Sequence, residues 1–161
     1  MSAPLDDIAS YSAYVYALRE RHPFVTGSTL TLAPIGATLA KLEGRIECQG
    51  EIHLEVWELI DFAARRIRTY SYEVYRAGEK ICWYDAWEHP EIPALAATFP
   101  HHKHVPPNLR DNRVPAPGIR AEPGHCFVRC ATGLDSAVFE GRFTKVWIGL
   151  TALAAPSFCP N

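Results

Sequence analysis

From Val25 to about Trp87, apolar and polar residues alternate with a period of two, and nothing else in the chain constrains its fold as strongly. Alternation sends successive side chains to opposite faces of a strand, so a half-buried sheet is the regular structure that hides the apolar set. STLTLA reads as a first strand, and ATLAKLEGRIEC as a second, bent at Gly44. After a turn at Gln49-Gly50, EIHLEVWELID places Ile52, Leu54 and Val56 on one face and His53, Glu55 and Trp57 on the other. Asp61 to Ala64 is a short connection into RRIRTYSYEVYR, which carries Tyr70, Tyr72 and Val74 on one face. Ala77 to Lys80 is a hairpin loop, and KICWYDAW is the last clear strand. Short turns between consecutive strands argue for an antiparallel meander.

A lone sheet cannot bury its apolar side, so a second element must cover it. LDDIASYSAYVYALRERH supplies one amphipathic helix, with Leu5, Ile8, Tyr11 or Ser12, Val15 and Leu18 at helical spacing. Asp6 and Asp7 lie at its start, Arg19, Arg21 and His22 at its end, and Pro23 stops it. The fold class expected is α+β: an N-terminal helix packed on an antiparallel β-meander. A Pro/His-rich loop follows, then a tail with no assigned element. Residues 1–118 form the single domain, and 119–161 are the atypical tail.

The chain is 48% hydrophobic with a formal charge of −2, enough apolar content for one core and no global attraction to phosphate. No apolar run is long enough to span a bilayer, so no membrane partner is expected. The start, MSAPLDDIASYSAY, has neither a basic region nor an apolar one, so no secretory signal is expected. Cys48, Cys82, Cys126, Cys130 and Cys159 are then reduced cytoplasmic thiols, and their spacing is not that of a structural zinc site. P-loop, GxGxxG, HExxH and GxSxG motifs are all missing from the sequence.

The groups that could carry chemistry gather late in the sheet and just beyond it. They are Arg66, Arg68, Tyr70, Tyr72, Asp85, His89 and the run His101-His102-Lys103-His104. The hairpin at Gly78 should bring Asp85 close to Tyr70 or Tyr72, and the histidine run can fold back over the same sheet end. If extended, that run puts His102 and His104 on one side and His101 and Lys103 on the other. Imidazole can take or give a proton near neutral pH, Lys and Arg can steady phosphate charge, and tyrosine can stack on bases. These are the parts of metal-free RNA cleavage. Other readings stay open on the residues alone. The run can be a plain surface loop, or an HxH metal pair that needs Asp85 or His89 to complete it. Tyr70 and Tyr72 can be ordinary half-buried sheet residues, Arg65, Arg66 and Arg68 a solvated strand face, and Trp57, Trp83 and Trp87 packing. Glu55 and Glu58 point to opposite faces and make no carboxylate pair.

The ordered set Tyr70-Ser71-Tyr72, Gly78, Trp83-Tyr84-Asp85, His89-Pro90-Glu91-Ile92-Pro93 and Phe99 to His104 resembles the TumE family of toxin–antitoxin toxins. The resemblance covers roughly residues 5–118 and is specific from about 66 to 105, where PHHKH follows HPEIP. It implies a cytoplasmic, prokaryotic toxin of a type II module, neutralised by a cognate antitoxin that is a helix-turn-helix DNA-binding protein. RNA cleavage is the activity it implies, by a metal-independent ribonuclease with no cofactor and no metal ligand assigned. His102 and His104 are then the acid–base candidates with His101 in reserve. Lys103 and Arg68 steady phosphate, Tyr72 orients the substrate, Asp85 orients or tunes a histidine, and Tyr70 and His89 complete the RNA-binding set. A non-catalytic toxin or protein-binding module, and a metal-dependent nuclease using the histidines with Asp85, are the competing classes.

The tail departs from that family, whose members usually close with an acidic amphipathic helix. Arg120 to Asn161 carries three of the five cysteines and shows no sustained helical period. A reading-frame change after Gly118 or Ile119 would produce such an end. Translating the shifted frames of the coding DNA decides it, an acidic helix in one of them being the expected outcome.

Overall fold

The computed structural model describes residues 4–117 and residue 119. Statements about the tail beyond Ile119 therefore lie outside the described residues. The predicted single helix is two short ones, α1 (Ile8–Tyr16) and α2 (Leu18–Arg21), which meet at Ala17. The Asp7 carboxylate accepts the Ser10 N–H at 2.7 Å and so caps α1. Aromatic, Ser and Val residues fill most of α1, and such side chains give a helix little intrinsic support. His22 is extended before Pro23, as the proline requires. Tyr11, Val15 and Leu18 are buried, whereas Ile8 of the expected stripe is 36% exposed.

The rest is mostly antiparallel sheet: β1 (Val25–Ser28), β2 (Thr31–Ile35), β3 (Leu39–Cys48), β4 (Ile52–Asp61), β5 (Arg66–Arg76), β6 (Glu79–Asp85), β7 (His102–His104) and β8 (Arg113–Pro115). β3 to β8 lie side by side in chain order, each antiparallel to the next. The predicted first strand, STLTLA, is divided, because β1 and β2 both pair along β3. The chain crosses from one to the other over Gly44, whose φ is +135°. A Cβ there would lie 2.5 Å from the carbonyl oxygen of Thr29, so the expected bend is a close backbone approach that excludes any larger residue.

One face of the sheet is the core. Leu42, Leu54, Val56, Ile60, Tyr70, Tyr72 and Val74 pack there with Tyr11, Val15 and Leu18 of the helices. The histidine run was expected in a loop after the last strand. Instead His102 to His104 form β7 and join the sheet beside β6. A short 3-10 turn, Pro93–Thr98, stands between β6 and β7. Among the described residues no helix is long and apolar enough to cross a membrane. Cys48 is half-buried and Cys82 buried, and Ile119, the first residue of the predicted tail, is buried against the core.

Candidate functional site

Strand parity and register together build one cluster. His102 and His104 are two apart on β7, so they share a face. Asp85 lies directly across from His102, and Trp83 directly across from His104. Directly opposed residues of an antiparallel pair also share a face, so all four stand together. The Nε2 atom of His102 lies 2.9 Å from Asp85 Oδ1 and 3.0 Å from the Nε2 of His104. The His104 Nε2 is 3.4 Å from Asp85 Oδ2.

The outer nitrogens of both rings are also held. His102 Nδ1 is 3.2 Å from the carbonyl oxygen of Pro100, and His104 Nδ1 is 2.7 Å from that of Leu109. A carbonyl oxygen only accepts, so each Nδ1 carries a hydrogen and donates it. The Trp83 ring stacks on His104 with centroids 3.9 Å apart, and the His89 and His102 rings meet edge to face with centroids 5.0 Å apart. His102 and His104 are each 1% exposed and Asp85 7%. Burial pushes the Asp85 carboxyl up, but its contacts with the His102 and His104 rings and the hydrogen bond from the Trp87 N–H together outweigh it and hold it well below the usual carboxylate range.

The structure separates the tyrosines from this cluster. Ser71, not a tyrosine, is opposite Asp85, and Tyr72 is opposite Tyr84 on the core face. The Tyr72 hydroxyl donates to Glu58 Oε1 at 2.5 Å, and the Tyr11 hydroxyl donates to Glu58 Oε2 at 2.5 Å. The expected approach of Asp85 to Tyr70 or Tyr72 is thus corrected by one step of register, which turns the side chains through the sheet. Tyr70 stacks on Tyr72, and its hydroxyl is 2.9 Å from His101 Nδ1. His101, whose pKa is lowered by burial and by its neighbour His102, therefore belongs to the tyrosine side. Lys103 also lies on that side, its ammonium over the Tyr84 ring. Arg68 is the extra residue of a β-bulge in β5 and pairs with Asp61 at 3.6 Å. His89 pairs with Glu91 at 2.9 Å and meets the cluster in an edge-to-face contact with His102.

Three participants went unrecognised in the sequence. Arg113 stands across from His104 on β8, hence on the cluster's own face, and its Nε is buried without a hydrogen-bond partner among the described residues. Trp83, read as packing, forms the floor under His104. Glu58 is fully buried between two tyrosine hydroxyls, and burial pushes its carboxyl up to about 7 against those hydrogen bonds. The alternation of RVP with HKH across a turn was the signal for Arg113, but three-residue strands are too short to stand out by period.

Among the comparisons with known proteins, the family model described as Toxin TumE matches residues 15–123, more than half of the chain. No curated protein and no solved structure matches it.

Proposed function

We propose, from the premise that this chain belongs to the TumE toxin family and is the toxin component of a toxin–antitoxin system with a cognate antitoxin, that it acts by cutting cellular RNA. The module is of type II, its antitoxin is a helix-turn-helix protein, and both work in a prokaryotic cytoplasm. The observation that carries the RNA reading is the meeting of two imidazoles and one carboxylate at a single point. That group can move a proton and hold negative charge, which are the two needs of phosphoryl transfer.

The geometry also limits how it works. In-line transfer places the entering and leaving oxygens on opposite sides of phosphorus. Two Nε2 atoms 3.0 Å apart cannot straddle a phosphorus atom, so His102 and His104 act as one unit on one side, oriented by Asp85. In the metal-free form, the group on the far side comes from outside this pair. Arg113 is the cation placed to steady phosphate charge from the same face. Tyr70, Tyr72 and His101 support the sheet from behind.

Induced expression of the full chain without its antitoxin tests this. Growth arrest with fragmentation of total RNA is expected for wild type. His102→Ala and His104→Ala, checked for soluble folded protein, should relieve both. Full toxicity in both variants, or intact RNA at any metal content with growth still arrested, defeats the reading and leaves a toxin that blocks a protein target.

A further inference from the structure

We infer that Asp85, His102 and His104 form a binding site for one first-row divalent transition-metal ion, of which zinc is the representative. The three donor atoms lie within 4.8 Å of one another, all on buried residues. Each imidazole gives its Nδ1 hydrogen to a backbone carbonyl, Pro100 for His102 and Leu109 for His104. In a neutral ring, that leaves the Nε2 lone pair pointing inward, the outer-shell pattern that fixes a metal-ligating histidine.

Without a cation, three lone-pair-bearing groups face one another away from water. A single added proton on His102 Nε2 satisfies the Asp85 contact, but it leaves His104 Nε2 confronting Asp85 Oδ2 at 3.4 Å, too long for a good hydrogen bond. A divalent ion satisfies all three at once. The distances fit it: ligands at about 2.0–2.1 Å from a common ion, with angles between a right angle and the tetrahedral value, stand about 2.9–3.4 Å apart. The observed separations are 3.0 Å between the two Nε2 atoms, 2.9 Å from His102 Nε2 to Asp85 Oδ1 and 3.4 Å from His104 Nε2 to Asp85 Oδ2, so the carboxylate meets the two imidazoles through different oxygens and one of the two would bind the ion.

The donor set selects the class of ion. Two imidazoles and a carboxylate suit zinc, cobalt, manganese or ferrous iron, whereas calcium and magnesium prefer all-oxygen shells. The stacked Trp83 ring and the edge-to-face contact with His89 hold the two imidazoles at their angles. Three protein ligands leave a further position, and in that place an oxygen of water or of a phosphate would sit. The site goes beyond the RNA-cleavage reading, because it stands whether or not RNA is the target.

Zinc titrated calorimetrically into the chelator-stripped full chain should bind at one equivalent per chain. Asp85→Asn and His104→Gln should weaken binding on the order of 100-fold, whereas His53→Gln should leave it unchanged. Because buried substitutions can also unfold the chain, a second measurement uses wild type alone. The imidazole nitrogen resonances of His102 and His104 should shift on adding zinc, while those of His53 stay in place. No zinc-dependent shift at those two rings, or zinc affinity unchanged in a folded Asp85→Asn variant, overturns the site and assigns the cluster to shared protons alone.

Discussion

His102 and Asp85 face each other directly across β7 and β6, with Nε2 and Oδ1 2.9 Å apart and both side chains nearly closed to solvent. The pair ties the last part of the sheet to the strand before it, and its removal has a structural cost apart from any chemistry. Asp85→Ala leaves two buried imidazoles without their carboxylate partner, so it should destabilise the chelator-treated protein by about 3 kcal/mol. Asp85→Asn keeps one acceptor oxygen and should cost less. Urea unfolding of both variants gives the comparison, and equal losses would mean that the carboxylate contributes shape alone.

Glu58 sets a pH dependence on the other side of the sheet. Its folded pKa is raised to about 7, so between its unfolded value and 7 the folded state binds more protons than the unfolded one. Stability contributed by the neutral form is therefore present at acid pH and declines as pH rises through about 7. The full difference is about 3 kcal/mol. Urea midpoints at pH 5 and pH 8 should show wild type weaker at pH 8 by more than Glu58→Gln is. Parallel pH responses would remove Glu58 as the cause.

Tyr72→Phe removes a hydroxyl that donates to Glu58 on the core face, opposite the face that carries Asp85. It should cost about 1–2 kcal/mol of stability and leave toxicity per folded molecule intact. A folded Tyr72→Phe protein that no longer arrests growth would return the tyrosine to the substrate side.

Gly44→Ala should destabilise by about 2 kcal/mol or more, since its Cβ meets backbone and not a yielding side chain. Thermal unfolding measures this. A shift within error would show that the β1–β2 crossover relaxes freely.

The long strands were legible because alternation over ten or eleven residues admits one reading, and β3, β4 and β5 stand close to where that pattern puts them. Parity also placed His102 with His104 and apart from His101 and Lys103. The pairing of Asp85 was missed by one residue. An irregularity between Val74 and Tyr75 shifts the β5–β6 register, and hairpin length alone does not announce it. β7 and β8 read as loop in the sequence because three residues carry too little pattern, and their pairing rests on side chains they meet only after folding. The two-part helix escaped because the apolar spacing continues through the break at Ala17.

The shortness of β7 and β8 has a consequence for access. Strands of three residues at one end of a sheet whose centre runs to ten or eleven are the first to fray. Amide hydrogens of Lys103 and Val114 should exchange with solvent water faster than those of Val56 and Tyr72, and any ligand that bridges Asp85 to β7 should slow the first pair selectively. The burial of the histidines thus depends on the shortest strands of the sheet, and local opening of that edge would expose the cluster without unfolding the domain.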